Sequence, residues 1–322
     1  MQKVSIVIPV LNEEFRIKKC LRSILNQDYP KNLIEILIFD NGCTDNTLKI
    51  ASRYNCKIIP FISNRPENSH TFALKLSKAD IFVIFAADNV MTSKHWLKKM
   101  LIPFEKEKIS CSFTHIKVDN ADFLINQYYS FLNVEPFTWF VYGNTSNPKN
   151  FSKIYKMIKK NNFELYSFSL KNHPLIALAQ GLCINRKSLE FINKKKKTGD
   201  DILPFIDLIN NDETFAYVDV GIFHYHVNNF IDFMKKYKKR IQNNLNQNQT
   251  GITRRLKFIK VERKIKTFLF IPYGLSIILP LFHTLIFFVR VKKIYVFYHI
   301  PTCFYLSSSI IFNYIKKTFR SN

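Results

Sequence analysis

The sequence predicts an α/β protein with a mostly parallel β-sheet, helices on both of its faces, and a C-terminal hairpin of two membrane segments. Over the first hundred residues, short apolar runs alternate with helical patterns, which is typical of a parallel sheet covered on both sides. Near the C-terminus, two runs of 22 residues contain no formally charged side chain. The composition, with 47% hydrophobic and 22% charged residues, is that of a globular protein.

The strands are predicted from apolar runs, each of about the length of one buried strand. In the first hundred residues these runs are 4–10, 34–39, 57–62 and 80–86. A further strand is predicted over FAYVDVGIF, residues 215–223.

The helices are predicted from apolar residues that recur at helical spacing, first from Ile17 to Leu25. Asn12 is the predicted N-cap of this helix, and Glu13 and Glu14 suit its positive N-terminus. Two more helices are predicted over 47–54 and 69–77. An irregular, aromatic-rich region then precedes three shorter elements, which are 176–184, 186–193 and 201–209.

The two uncharged runs are residues 268–289 and 294–315. Each could cross about 30 Å of hydrocarbon as a helix that rises about 1.5 Å per residue. Buried core helices are the alternative, but runs this long are rare in soluble cores. Ten basic residues flank the pair and three lie in the loop at 290–293, which predicts that both flanks face the cytoplasm. A hairpin that dips into one leaflet is the other possibility.

The net charge is +24, from 48 Lys and Arg against 24 Asp and Glu. Such a surplus indicates an anionic partner, which could be nucleic acid, an acidic membrane surface or a phosphorylated substrate. The basic residues concentrate beside the apolar runs, and the sequence contains no recognised nucleic-acid-binding motif. Membrane lipids are therefore the predicted partner, and nucleic acid is not.

Two acidic residues follow predicted buried strands: Asp40 after the second strand and Asp88 after the fourth. In a parallel sheet the carboxyl ends of the strands meet at one edge, where ligands bind. A carboxylate there can accept a hydrogen bond from a nucleobase or ligate a divalent cation. One such Asp alone is more often a turn or helix cap, but two at matching strand ends favour a ligand site.

Four segments resemble glycosyltransferase family 2 in their order and spacing: VSIVIPVLNEE, QDYP, IFDNGCTDNT and FAADN. The resemblance covers roughly residues 3–240. It implies the Rossmann-like GT-A fold and an inverting enzyme that uses a nucleotide-sugar donor. The Gln-x-x-Arg-Trp motif of processive members is absent from the sequence, which disfavours the synthesis of a long polymer.

The resemblance also implies the residues that bind the donor. Asp40 matches the acid that contacts the nucleobase in the family, and Asn41 stands where a second Asp is common. The other residues implied to line the donor are Pro9, Val10, Asn12, Glu13, Ala87 and Asp88.

A divalent cation, Mg²⁺ or Mn²⁺, is implied by the same resemblance. Asp88 matches the final acid of the family's Asp-x-Asp metal motif, and Ala86 stands in place of the first acid. The segment IFHYHVNNFIDFMKKYKKR resembles the region in which some members add a histidine to the metal. His224 and His226 are the candidates, because they would point the same way on a strand. Packing is the alternative role for both rings.

Two adjacent acids are the predicted catalytic pair. QGLCINRKSLEFI and TGDDILPFIDLI, at 180–192 and 198–209, resemble the acceptor-side segment of the family and its Glu-Asp pair. Asp200 and Asp201 match that pair, and Asp201 matches the general base. The alternative is that the two acids cap the helix predicted at 202–209, and both roles are compatible.

These features together predict a membrane-anchored glycosyltransferase of the cytoplasmic membrane, with its catalytic domain in the cytoplasm. The predicted domains are a catalytic domain at 1–230, a basic juxtamembrane segment at 231–266 and a membrane hairpin at 267–322. A UDP-sugar is the expected donor, and the acceptor is expected to be lipid-linked or a saccharide, in cell-surface glycan or glycolipid synthesis. The alternatives are a catalytically inactive scaffold that binds a nucleotide sugar and, less favoured, a nucleic-acid-binding protein.

Overall fold

The computed structural model describes residues 1–62, 69–176, 179–194, 203–246 and 261–320. The strands in these ranges are β1 (Val4–Val10), β2 (Ile34–Asp40), β3 (Lys57–Pro60), β4 (Ile81–Phe85), β5 (Asn89–Met91), β6 (Cys111–Phe113), β7 (Met157–Lys159), β8 (Glu164–Tyr166), β9 (Gln180–Asn185), β10 (Phe215–Tyr217) and β11 (Ile222–His224). The α-helices are α1 (Ile17–Leu25), α2 (Thr47–Ala51), α3 (Ser69–Leu76), α4 (Trp96–Lys106), α5 (Leu124–Leu132), α6 (Pro136–Tyr142), α7 (Arg186–Lys194), α8 (Leu203–Ile209), α9 (Phe230–Asn246), α10 (Val261–Leu275), α11 (Ile278–Val291) and α12 (His299–Arg320).

The chain divides into two compact units, each made of two separate stretches of sequence. Unit 1 comprises Met1–Lys117 and Pro148–His224, and unit 2 comprises Val118–Asn147 and Tyr225–Asn322. Unit 1 contains all of these strands, whereas the described elements of unit 2 are helical. The functional domain boundaries predicted at residues 230 and 266 stay predictions.

A nine-stranded sheet forms the centre of unit 1, in the order β3-β2-β1-β4-β9-β6-β10-β8-β7. The strand pairings make β9 and β8 antiparallel to their neighbours, so the other seven strands run in one direction. β1 lies between β2 and β4 and is parallel to both. The prediction of a mostly parallel sheet is therefore confirmed.

Helices cover both faces of this sheet. Every residue of β4 is buried, and successive side chains of a strand point to opposite faces, so both faces must be covered. On one face, Phe82 and Ile84 belong to a core that includes Ala73 of α3, Leu189 of α7 and Phe205 of α8. On the other face, Phe85 contacts Trp96 of α4. The predicted α/β architecture with helices on both faces is confirmed.

Two details of the predicted elements are wrong. Asn12 does not cap α1, because the helix begins at Ile17 with Arg16 at the N-cap position. Asn12 instead has a left-handed backbone with φ of 57°, which Asn tolerates better than most residues. The predicted strand 215–223 is two strands, β10 and β11, which belong to different sheets. The chain turns between them at Gly221, where φ is 68°.

The core of unit 2 is aromatic. The Trp139 ring lies edge-on to the rings of His283, Phe287 and His299, with centroid distances of 5.4, 5.1 and 5.2 Å. His299 is fully buried, and each of its ring nitrogens is hydrogen bonded to a tyrosine hydroxyl. The distances are 2.6 Å from Nδ1 to Tyr128 and 2.7 Å from Nε2 to Tyr273. These bonds join α5, α10 and α12, because a buried polar ring is stable only when its nitrogens have partners.

The two apolar C-terminal runs differ in shape. The stretch Ile294–Phe319 is one helical segment of 26 residues that is long and apolar enough to cross a membrane. The run 268–289 is divided between α10 and α11, which are bent by 94° relative to each other. The expectation that 268–289 forms one continuous membrane helix is therefore wrong.

A close helix contact in unit 2 involves Gly274 of α10. A Cβ atom at this position would lie 2.6 Å from the carbonyl oxygen of Cys303 and would also clash with the Ser307 hydroxyl, both on α12. A helix backbone cannot move away without moving its neighbours. The hydrogen of glycine is thus what allows α10 and α12 to approach each other.

We expect Gly274→Ala to lower the free energy of unfolding by about 1–3 kcal/mol, the usual cost of overpacking a close contact. Thermal unfolding of the full chain in detergent micelles measures this change. Ile265→Ala, at an exposed position on the same helix, is the control and should have little effect. Adding Ser307→Ala should restore part of the loss, since the Cys303 carbonyl still interferes. Unchanged stability of Gly274→Ala would contradict the close contact.

Candidate active site

Asp40 is the last residue of β2 and lies opposite Val10, the last residue of β1. Its Oδ1 accepts hydrogen bonds from the amides of Gly42 at 3.1 Å and Cys43 at 2.8 Å. The amide of Asn41 donates to the carbonyl of Val10 at 3.0 Å, which extends the strand pairing by one step. Asp40 therefore shapes a turn, and both of these turn hydrogen bonds are accepted by Oδ1.

The loops that follow β1 and β2 are joined through Thr47, which is fully buried. The Thr47 hydroxyl accepts a hydrogen bond from the amide of Glu13 at 2.7 Å and donates one to Oδ1 of Asp45 at 2.6 Å. Oδ2 of Asp45 accepts from the amide of Glu14 at 3.1 Å. Asp45, the second acid of the IFDNGCTDNT segment, thus holds the backbone of the loop after β1 in place.

A second set of bonds joins the same loops nearer the sheet edge. Oδ1 of Asn12 accepts from the amide of Thr44 at 2.8 Å, and the Asn12 amide donates to the Cys43 sulfur at 3.4 Å. The Glu14 carboxylate accepts from the amide of Asn46 at 3.1 Å. These roles of Glu14, Asp45 and Thr47 were not predicted from the sequence, because they can be recognised only once the two loops are seen together.

Asp88 lies on a tight turn between β4 and β5. The carbonyl of Ala86 accepts from the amide of Asn89 at 3.1 Å, which closes the turn around Ala87 and Asp88. The Asn89 side chain donates to the carbonyl of Ala179 at 2.7 Å and anchors the turn to the segment before β9. Asp88 itself is 9% exposed, so its carboxylate is held close to the protein interior.

His224 reaches Asp88 because β11 pairs antiparallel with β5, with His224 opposite Asn89. Nε2 of His224 lies 3.2 Å from Oδ2 of Asp88, and both side chains are about 11% exposed. The structure therefore brings two of the three predicted metal ligands together within unit 1. A carboxylate and an imidazole at this separation can ligate the same cation.

His226 belongs to unit 2 and is held there by other side chains. β11 ends at His224, so His226 lies beyond the strand that was expected to carry both histidines. The His226 ring stacks on Tyr129 at a centroid distance of 4.2 Å, and Nε2 is hydrogen bonded to the Tyr237 hydroxyl at 3.2 Å. Lys236 Nζ lies 3.1 Å from Nδ1. These contacts fit the packing alternative, and the metal role of His226 stays a prediction.

Trp96, at the start of α4, fixes the turn that leads into β11. Its Nε1 donates to the carbonyl of Gly221 at 2.8 Å, and the Thr92 hydroxyl donates to the same oxygen at 3.1 Å. Its ring packs tightly against Gly181, where φ is 77° and a Cβ would lie 3.1 Å from the indole. Trp96 thereby positions His224 from a distance, which the sequence analysis missed.

The predicted catalytic pair, Asp200 and Asp201, lies outside the described residues. Their roles as general base and neighbouring acid stay predictions. The described part of the same segment begins again with α8 at Leu203.

Comparison with known proteins gives both family and structural matches. A model of the family described as "Glycosyl transferase family 2" matches residues 5–171. A relative in Methanococcus voltae, a dolichyl N-acetyl-alpha-D-glucosaminyl phosphate 3-beta-D-2,3-diacetamido-2,3-dideoxy-beta-D-glucuronosyltransferase, is 36% identical over 115 residues. That match covers 34% of this chain and 36% of the relative, so the chain matches little more than a third of the relative's length.

Two solved structures are similar over nearly the whole chain. The mannosyltransferase PcManGT from Pyrobaculum calidifontis, in complex with GDP-Man and Mn²⁺, has a TM-score of 0.58 at 13% identity, covering 100% of this chain and 88% of its own. Staphylococcus aureus TarS 1–349 in complex with UDP has a TM-score of 0.51 at 16% identity, covering 99% of this chain and 91% of its own. At these identities the likeness shows the fold.

Removing the Asp45 carboxylate should loosen the two loops. Asp45→Ala loses its hydrogen bonds to Glu14 and Thr47, so we expect faster exchange of these two backbone amides and a loss of roughly 1–3 kcal/mol in stability. Asp45→Asn should have an intermediate effect, since its carbonyl oxygen can still accept from Thr47. Hydrogen exchange read by mass spectrometry or NMR measures both variants. Glu105→Ala, at an exposed acid of α4, is the control.

The effect of pH on Asp45 follows from the same bonds. Burial raises the pKa of the Asp45 carboxyl, but the hydrogen bonds from Thr47 and Glu14 outweigh burial and hold the pKa below its ordinary value. Its stabilising contribution is therefore complete above the ordinary pKa of Asp and is lost as the pH falls through the lowered value. An Asp45→Ala chain with unchanged exchange at Glu14 and Thr47 would show that the loops are held by other contacts.

Proposed function

The chain belongs to glycosyltransferase family 2, whose model matches residues 5–171 of its 322 residues, and we propose that it transfers a sugar from a nucleotide-sugar donor to an acceptor hydroxyl or phosphate. The observation that carries the proposal is the placement of Asp40 and the Asp88–His224 pair. Asp40 ends β2, and Asp88 follows β4, on the two strands that flank β1 in parallel. Their carboxylates therefore belong to the same edge of one parallel sheet, where ligands bind in this architecture.

The nucleotide is proposed to bind along the carboxyl ends of β1 and β2. Asp40 accepts a hydrogen bond from the base, and the loop residues Asn12 and Glu13 line the nucleotide through a backbone that Thr47 holds in place. The further donor contacts are proposed at Pro9, Val10, Asn41 and Ala87. UDP is the first candidate, supported by the UDP complex of TarS, and GDP is the second, supported by the GDP-Man complex of PcManGT.

A divalent cation is proposed to bind at Asp88 and His224. These residues fit a cation, because a carboxylate oxygen and an imidazole nitrogen lie 3.2 Å apart at a nearly buried position. Mn²⁺ suits this donor set better than Mg²⁺, which prefers oxygen ligands. When bound, the cation would neutralise the charge that develops on the leaving diphosphate. Ala86 stands in place of the first acid of the family's Asp-x-Asp motif, so His224 supplies the second ligand of this proposal.

Asp201 is proposed as the general base, with Asp200 as its neighbour. An acceptor hydroxyl must lose its proton as it attacks the sugar, and a carboxylate opposite the leaving diphosphate can accept that proton. Attack from the side opposite the leaving group inverts the anomeric configuration. The proposed enzyme is therefore an inverting glycosyltransferase.

The acceptor is proposed to be lipid-linked, and the protein to be anchored at the cytoplasmic face of the cytoplasmic membrane. The apolar C-terminal helices and the basic residues beside them support the anchor. The acceptor class is supported by the Methanococcus voltae relative, whose name specifies a dolichyl-phosphate-linked sugar. A role in cell-surface glycan or glycolipid synthesis fits both features. The acceptor could also be a saccharide that is not linked to lipid.

A donor screen tests the proposed activity. The full chain is incubated with UDP- and GDP-sugars, with Mn²⁺ or Mg²⁺ and with membrane lipids as acceptors, and release of the nucleoside diphosphate is measured. We expect release with one donor class, higher in Mn²⁺ than in Mg²⁺. Binding of a donor without release in any combination would favour the alternative, a catalytically inactive scaffold, which the alanine at position 86 suggests.

Two variants connect the screen to the site. Asp88→Asn keeps the shape of the side chain but removes its charge, so Mn²⁺-dependent donor binding and release should both collapse. His224→Gln should weaken Mn²⁺ binding, measured by electron paramagnetic resonance or calorimetry, more than it weakens donor binding without metal. His95→Gln, at an exposed histidine near the start of α4, is the control for histidine loss. Full activity of wild-type protein in a chelator would refute the metal role.

Asp201→Asn should leave donor binding nearly intact, because the proposed donor contacts lie on other segments. Transfer should fall by a factor of about 10²–10⁴, the usual contribution of a positioned base. Asp200→Asn is the matched control, and donor affinity and product configuration are measured for both. A harmless Asp201→Asn beside an inactive Asp200→Asn would assign the base to the other acid. A product with retained configuration would overturn the mechanism.

A further inference from the structure

The C-terminal helices of unit 2 expose many large apolar side chains. Residues that are more than three-fifths exposed lie on every part of the region: Phe268 on α10, Ile278, Phe282 and Val289 on α11, Ile294 after it, and Phe312 on α12. A region with this many exposed large apolar side chains is more apolar than an ordinary protein surface. We call it the apolar surface of unit 2.

The shapes of α10 and α11 do not suit a membrane crossing. The two helices are 15 and 14 residues long, which corresponds to about 21–22 Å each, against about 30 Å of hydrocarbon. They are bent by 94° at a break that contains Ile277 with φ of 57°. A β-branched residue in this conformation is strained, so the bend is imposed by the surrounding structure. If one of the two helices were perpendicular to the bilayer, the other would lie in its plane.

The helix α12 is long enough to cross, at 22 residues or about 33 Å, but one side of it is tied to a charged helix. The Tyr305 hydroxyl donates to the carbonyl of Met234 on α9 at 2.7 Å. α9 exposes Lys235, Lys238, Lys239 and Arg240, which cannot enter hydrocarbon together at reasonable cost. The first third of α12 therefore stays beside a solvent-exposed helix. The remaining part of α12 is shorter than the hydrocarbon thickness of a bilayer.

The positions of the basic residues in this region are explained more simply if no segment crosses the membrane. Arg290, Lys292 and Lys293 lie between α11 and α12, and all three are exposed. A crossing hairpin would place them on the far side of the membrane, against the usual excess of basic residues in the cytoplasm. In-plane helices would place them beside Lys266 and Lys316 on one side, where anionic lipid head groups attract them.

We infer that the apolar surface of unit 2 inserts into one leaflet of an anionic membrane, with α10, α11 and α12 lying in the interface and without crossing it. Apolar side chains enter the acyl region, and the lysines and arginines contact the head groups. The inference deepens the membrane attachment proposed above and does not depend on catalysis. A lipid leaflet is the occupant favoured over a second copy of the chain, because the basic residues around the surface would repel those of a copy.

Cysteine labelling from each side of the membrane tests the topology. Glu262→Cys, before the apolar run, and Lys293→Cys, in the loop after α11, are introduced into the full chain. Each is treated with a membrane-impermeant maleimide in sealed inverted vesicles and in spheroplasts, with the wild-type chain as the control for its native cysteines. We expect both positions to be labelled from the same side. Labelling of Lys293→Cys from the opposite side would overturn the inference, and so would labelling that occurs only after detergent is added.

Spin labels on the apolar surface distinguish lipid from a second copy. A nitroxide at Phe282→Cys or Val289→Cys should be more accessible to oxygen, which dissolves in lipid, than to a charged aqueous relaxant. Low accessibility to both reagents at both positions would indicate a protein partner and would overturn the lipid assignment. Neither experiment needs donor or acceptor, so an inactive protein with in-plane helices would contradict the proposed enzyme and leave this inference intact.

Discussion

The placement of the Asp88–His224 pair depends on the packing of Trp96. This side chain is fully buried between Phe85 of β4, the glycine at 181 in β9 and the turn at Gly221 before β11. Its ring packs tightly against Gly181, and its N–H shares the carbonyl of Gly221 with the Thr92 hydroxyl. A single large residue thus sets the distance between the turn that carries Asp88 and the strand that carries His224. The carboxylate and the imidazole meet because their supports share this contact.

The two sides of the sheet edge are organised by different physical means. Around Asp40, two loops are joined by a chain of hydrogen bonds through Thr47 and Asp45. Around Asp88, strand pairing between β5 and β11 sets the register, and Trp96 fixes the turn that precedes β11. Both arrangements fix the backbone before any ligand arrives, which reduces the entropy lost on binding. The loops around Asp40 are also polar, as expected for the nucleotide site proposed there.

The alternating part of the fold could be predicted because its signals are local. Continuous apolar runs identified β1, β2 and β4 within a residue or so, and the acids at their ends marked the edge. The split between β10 and β11 was missed because it depends on Gly221 and on a distant Trp96. The bend at 276–277 was missed because the composition of an apolar run gives its length and does not show where a helix within it changes direction. Two neighbours of His226, Asn126 and Tyr129, likewise come from about a hundred positions away in the sequence.

The construction of unit 2 from distant stretches has a consequence for how the protein is made. Tyr128 and His299, which are hydrogen bonded in its core, are separated by 171 residues. At a synthesis rate of about 5–20 residues per second, α5 and α6 leave the ribosome roughly 10–30 s before α12 exists to cover them. Their aromatic side chains must wait for that time in the cell without their native partners. The core of unit 2 is thus incomplete until the last helix of the chain has been synthesised.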